Sequence, residues 1–337
     1  MLGKKYLVIL FILMLAGCAS VKEKHYSPDF STSELTLVSE AIPFNTFEDW
    51  LNDIKGIKTN IKRLDNFQRR VNPKAFARFK NTVASHWISY QSDGLKIAGV
   101  VAYPKDYAGE KLPVVIFNRG GHNFRGKNFG GNSRINLYKL ILPLAEQGYI
   151  VLASNYRGSR FSEGKDEFGG KDVNDVLRLI DIVDTIPFAD TNRIGMVGWS
   201  RGAMMTLLAA RKSTRIKSAA VIAGNVDMFA SIERRPDMEK KVYARLVPNF
   251  DNNREVELEK RSAIFWLEEL NPEMPLLVMH GTEDWRVDYK QSEMLVRKLA
   301  ALKRPYKFKR FEYGDHNLTF YKNEWQNALY TWLKETL

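Results

Sequence analysis

The sequence predicts an α/β chain, with a mostly parallel, doubly wound sheet, flanking helices and a small helical N-terminal appendage. Three observations predict it. From residue 86 onward, short β-rich runs alternate with longer amphipathic ones, the pattern of parallel strands joined through helices. One β-rich run, Arg193-Ile194-Gly195-Met196-Val197, passes through Gly198-Trp199-Ser200-Arg201-Gly202 into the helix-forming Ala203-Met204-Met205-Thr206-Leu207-Leu208. Two later runs end in loops that carry an acid and a histidine, the side chains that turn a serine hydroxyl into a nucleophile.

The chain has 337 residues, 45% of them hydrophobic, enough to bury a full core. Its first residues read as an export signal and not as part of the fold. Lys4 and Lys5 make a positive start, an apolar run from Leu7 to Ala16 follows, and Leu15-Ala16-Gly17-Cys18 closes it. The run is shorter than the ~20 residues of an ordinary membrane span. The closing residues resemble a bacterial lipobox, so residues 1–17 are expected to be a lipoprotein signal peptide and Cys18 the lipidated residue. Cys18 is the sole cysteine, which excludes an internal disulfide. Ala19 stands after it in place of Asp, which in lipoproteins of this kind points to the outer membrane of the cell envelope. Residues 18–32 are polar and read as a tether.

Residues 33–85 read as a helical segment, since Phe47, Trp50, Leu51, Ile54, Ile57, Ile61, Leu64 and Val71 recur at helical spacing. Between Lys55 and Lys80 there are nine Lys or Arg and one acid, Asp65. Two readings stay open: an appendage packed on the main domain, or a contact with a membrane surface beside the lipid. The main domain is expected over 86–337, with strands near 97–103, 114–118, 149–155, 194–198, 219–223, 276–280 and 306–312. Helices are expected near 135–147, 173–185, 202–212, 289–301 and 325–336, with Asp172 placed to cap the second. Residues 226–272 break the alternation with charge-rich, partly helical sequence, a candidate lid insertion above the strand ends. The net charge of +12 comes with no recognised nucleic-acid motif, so anionic lipid or cell-wall polymer explains it more simply.

The strand, tight turn and helix around Gly198-Trp199-Ser200-Arg201-Gly202 form a G-x-S-x-G nucleophile elbow, the mark of an α/β-hydrolase fold. In such folds the acid and base follow in the order Ser, Asp, His, each after a later strand. His280-Gly281-Thr282-Glu283-Asp284 ends one strand and Gly314-Asp315-His316 follows the next, so Ser200, Asp284 and His316 stand at three sheet exits. Glu283 competes with Asp284 for the acid, and His280 is the rival base, although a histidine at a strand end is usually satisfied by backbone. The oxyanion needs two N–H donors. One should be the backbone N–H of Arg201. The other should come from Arg119-Gly120-Gly121-His122, with Gly121 first and Gly120 next. No metal or organic cofactor is expected, because no H-E-x-x-H, cysteine cluster, P-loop or dinucleotide fingerprint is present.

Residues 95–337 resemble the catalytic domain of the prolyl oligopeptidase family of serine peptidases. The resemblance is carried by Gly120-Gly121, Asn155-Tyr156-Arg157-Gly158-Ser159, the Ser200 elbow, His280-Gly281-Thr282-Glu283-Asp284-Trp285-Arg286-Val287, and His316. It implies an α/β-hydrolase fold, Ser200 as nucleophile, Asp284 as orienting acid and His316 as base. That family often has His where Arg119 stands, an aromatic where Arg201 stands and Gly where Ala203 stands. Its peptidases usually carry a large β-propeller, and the helical sequence between Cys18 and residue 95 does not suit one. The expected function is a serine peptidase acting on small peptide or amide substrates through an acyl-enzyme. The alternatives are a carboxylesterase or deacetylase on small or cell-wall esters, and a non-catalytic binding lipoprotein. Oligomeric state stays open.

Overall fold

The computed structural model describes residues 36–42, 44–56, 73–122 and 136–337. The expected signal peptide, Cys18, the whole of the expected tether and the basic residues Lys58, Lys62 and Arg63 lie outside the described residues. The described chain forms one nine-stranded sheet. Its strands are β1 (Thr36–Glu40), β2 (Val83–Ser92), β3 (Leu95–Pro104), β4 (Leu112–Asn118), β5 (Ile150–Ser154), β6 (Ala189–Trp199), β7 (Ile216–Ile222), β8 (Leu276–Gly281) and β9 (Tyr306–Phe311). They lie in the order β1-β2-β3-β5-β4-β6-β7-β8-β9. β1, β2, β3 and β5 pair antiparallel in succession, and every pairing from β5 to β9 is parallel.

The parallel strands read as apolar runs because helices cover both faces of the sheet. Along β4 the side chains alternate between two cores: Val114 and Ile116 enter one, Val115 and Phe117 the other. The first core is covered by α4 (Asp172–Val183) and α5 (Arg201–Lys212), through Val176, Leu179, Ile180, Met205 and Leu208. The second is covered by α3, a π-helical turn Leu137–Ile141 running into Leu142–Glu146, and by the C-terminal helix Lys322–Thr336 with Trp325, Leu329 and Trp332.

The N-terminal segment departs from an all-helical reading. α1 (Phe47–Gly56) and α2 (Pro73–Thr82) are helices, but Thr36–Glu40 and Val83–Ser92 are strands that extend the sheet. The strand β2 is set by a two-residue hairpin turn to β3: Asp93 and Gly94 both have positive φ, 51° and 74°. The two helices dock by aromatic side chains, Trp50 stacking on Tyr138 at 4.4 Å and lying 5.5 Å from Phe76. Arg78 pairs with Glu146 at 2.7 Å, so this basic residue ties the segment to the domain.

Residues 226–272 form a chain of short helices, among them α6 (Met228–Arg234) and α7 (Arg254–Arg261). Met228, Val242, Tyr243, Leu258 and Leu267 are buried in the first core, so the insertion is seated on the helix layer. Asp227 caps α6, accepting the N–H groups of Phe229 and Ala230 at 2.9 and 3.2 Å. Asp172 does not cap α4 as the sequence suggested. Lys171 holds that position, and the Asp172 carboxylate is taken instead by the Gly169 N–H and by Arg201.

Candidate active site

β6 delivers the chain to Ser200, and α5 carries it away. Ser200 has φ 58° and ψ −125°, a conformation that costs a non-glycine residue of order 1–3 kcal/mol and persists only where neighbours enforce it. The enforcement is visible. The Ser200 N–H donates to Ile222 O at 2.8 Å, and its carbonyl accepts from Ala203 N at 2.9 Å. A Cβ on Gly202 would overlap the Asn118 carbonyl, and one on Gly198 would overlap Gly202, so both flanking positions must be glycine. Asn118 Nδ2 donates to Thr206 Oγ1 at 2.9 Å, pinning the end of β4 to the helix behind the serine.

Asp284 and His316 sit on the loops after β8 and β9. A Cβ on Gly281 would overlap Gly314, so only glycine lets the two loops lie this close. The Asp284 carboxylate is buried with every lone-pair direction engaged. Oδ1 accepts the N–H groups of Arg286 and Val287 at 2.8 and 3.0 Å. Oδ2 faces His316 Nδ1 at 2.7 Å and His280 Nε2 at 3.0 Å. Burial alone would raise its pKa. The hydrogen bonds from His280 and His316 outweigh that and hold the carboxyl well below the usual range. With Nδ1 of His316 donating to a carboxylate, Nε2 is the nitrogen left with a lone pair, the form a general base needs. Trp199 Nε1 donates to His316 O at 3.1 Å, so the residue beside Ser200 holds the histidine loop. Lys139 reinforces this: its Nζ lies 3.2 Å from the Trp199 ring centroid and donates to Asn317 O at 3.2 Å.

Of the two rivals named in the sequence, neither takes the place of its competitor. Glu283 is exposed, and it is Asp284 that bonds His316. His280 is buried on the far side of Asp284. Its Nε2 faces two acceptors, the carboxylate and Val287 O at 3.1 Å, so it carries a proton, and its Nδ1 pairs with Ser292 Oγ at 2.7 Å. The histidine is thus satisfied by backbone, as a strand-end histidine should be, but it also fixes the carboxylate. The sequence offered no signal for that second contact.

The Gly120-Gly121 turn lies against the serine. A Cβ built on Gly120 would stand 3.1 Å from Ser200 Cβ and 3.7 Å from its Oγ, while Gly121 has φ +79°, the left-handed region that favours glycine. Arg201 opens α5, where backbone N–H groups have no partner within the helix. Serine, glycine turn and helix start therefore meet in one place. The His122 ring beside them is pushed down to about 4 by burial and the nearby Arg201 charge, so it is neutral at physiological pH.

This fold and arrangement define a serine hydrolase of the α/β-hydrolase class. Residues 135–337 match the model of the prolyl oligopeptidase family, and the chain belongs to that family of serine peptidases. The uncharacterised peptidase YtmA of Bacillus subtilis is 28% identical over 236 residues, covering 70% of this chain and 87% of that protein. Dipeptidyl-peptidase 5 of Porphyromonas gingivalis is 25% identical over 257 residues, covering 70% of this chain and 37% of its own length. Among solved structures, the acylaminoacyl peptidase of Pyrococcus horikoshii superposes with a TM-score of 0.65 at 23% identity, over 79% of this chain and 44% of its own. The chain thus spans less than half of these two longer relatives.

Proposed function

We propose that the protein hydrolyses peptide or amide bonds of small substrates through an acyl-enzyme on Ser200. His316 takes the Ser200 proton as Oγ attacks the carbonyl carbon, and the N–H groups of Arg201 and Gly121, with Gly120 next, receive the oxyanion. His316 returns the proton to the leaving amine. Water, deprotonated by the same histidine, then releases the acyl group. The observation that carries this reading is the 2.7 Å bond from Asp284 to His316, on loops held beside a strained serine elbow. Membership of a peptidase family supports the amide over the ester. A panel pairing aminoacyl p-nitroanilides with p-nitrophenyl esters of the same acyl groups tests it. Efficient p-nitroanilide turnover is expected; turnover confined to esters would replace this reading with the esterase one.

Export and lipidation at Cys18 belong to the same proposal. They are supported by the positive start, the short apolar run and the Leu15-Ala16-Gly17-Cys18 close, and they would place the domain at the cell envelope, attached to a membrane.

A further inference from the structure

Two residues at which this chain departs from its family's usual pattern, Arg119 and Arg201, are brought together behind the glycine turn. Both are buried, at 1% and 3% exposure. Arg119 Nη2 donates to Asn155 O and Ser159 Oγ, each at 2.6 Å, and its Nη1 donates to Gly120 O at 3.1 Å. Arg201 Nη1 donates to Asp166 Oδ2 at 2.8 Å and to Gly121 O at 3.1 Å, and its Nη2 bonds Asp166 and Asp172. The guanidinium groups share the Tyr156 ring, 4.6 and 5.2 Å from its centroid, and Arg201 also lies over Phe168 at 4.6 Å. Two cations and two carboxylates thus balance in a buried cluster. Burying them without that balance would cost several kcal/mol per ion.

The cluster does more than neutralise itself, because two of its donors end on consecutive carbonyls of the turn. In a trans peptide the C=O and the following N–H point in opposite directions. Holding Gly120 O toward Arg119 therefore fixes which way the Gly121 N–H points, and holding Gly121 O toward Arg201 does the same for His122 N–H. The turn needs such restraint. Consecutive glycines rotate more freely than any other pair of residues, and among the described residues a Cβ at Gly121 would meet nothing within 4 Å. We propose that Arg119 and Arg201 are a pair of positioning residues, which clamp the carbonyls of the peptides on either side of Gly121, so that Arg119 holds the Gly121 N–H toward the acyl oxygen at Ser200 and Arg201 fixes the peptide that follows it. The proposal rests on the reading of Ser200 as nucleophile. It makes Arg201 act twice, by its backbone as a donor and by its side chain as a clamp on the peptide that follows the opposite donor.

Arg119→Met and Arg119→Lys test it, with active sites counted by stoichiometric fluorophosphonate labelling so that rates are expressed per site. For Arg119→Met, kcat on an acyl p-nitroanilide should fall on the order of 10- to 100-fold while KM moves less than about threefold. Affinity for a peptidyl trifluoromethyl ketone, bound as a hemiketal that carries the oxyanion, should fall by the same factor as kcat/KM. Arg119→Lys should recover part of the loss, since an ammonium can reach one carbonyl but not three acceptors. A lower melting temperature with kcat per site and ketone affinity unchanged would overturn the proposal, leaving Arg119 a core support. So would a rise in KM alone. If Arg119→Met does not fold, Arg119→Lys and Arg201→Lys carry the same comparison, the latter keeping a cation between Asp166 and Asp172. Failure of the wild-type protein to label at Ser200 would sink the nucleophile reading instead, and this proposal with it.

Discussion

At Asp284 two histidines share one carboxylate oxygen, and this asks that the group stay ionised. Replacing it by Asn removes an acceptor from His316 and permits the wrong tautomer. Asp284→Asn should lower kcat on the order of 10³- to 10⁴-fold, and Glu283→Gln by less than about threefold, in steady-state assays. The reverse ranking would mean that the acid is misassigned. The same groups set the acid limit of stability. Asp284 has its pKa lowered by folding, so its contribution is present above the ordinary carboxylate range and lost as pH falls below it. His122, pushed down to about 4 from 6.5, is neutral in the fold where the unfolded chain would bind a proton. Its contribution is therefore complete above about pH 6.5 and is lost as pH falls toward 4. Melting temperatures should drop on acidification through that window, and His122→Gln should flatten the drop. Parallel curves for the two proteins would contradict the assignment.

At the scale of elements, the strand–turn–helix around Ser200 and the two loops after β8 and β9 were legible because each is local. Glycines that only fit a close approach, a short apolar strand and an amphipathic helix all lie within a few residues of one another. What was not legible depends on contacts distant in sequence. The edge strand β1 has five residues and gains its identity only by pairing with β2. β2 itself had a signal, the Asp93-Gly94 turn between two β-rich runs, which outweighs the helical spacing before it. Asp172 had the look of a cap, but its partner Arg201 lies 29 residues on and wins the carboxylate. The helical part of the N-terminal segment is held by packing and not by the site. Trp50, 1% exposed against Tyr138 and Phe76, should cost about 3–5 kcal/mol on replacement by Ala, read from denaturant unfolding. The rate per labelled site should not change. A matching loss of kcat would mean that these helices shape the site.

Across the whole molecule, the parallel strands β6, β7, β8 and β9 point their C-terminal ends the same way, which is why residues 84 and 116 positions beyond Ser200 in the sequence reach the loops beside it. The antiparallel strands and N-terminal helices lie toward the other edge and close the second core. An anchor before residue 36 would then be separate from the chemistry. Cys18→Ser should release the protein from membranes in cell fractionation and leave hydrolysis of small substrates intact; a folded but inactive soluble form would contradict that separation. The most direct test of the central claim, that Ser200 is activated by a His316 which Asp284 orients, is the rate of fluorophosphonate labelling with the modified residue mapped by mass spectrometry. The account predicts fast modification of Ser200 alone, slowed at least about 100-fold by His316→Ala or Asp284→Asn and unchanged by Glu283→Gln. Labelling at another serine, or labelling of Ser200 at full rate without His316, would contradict it.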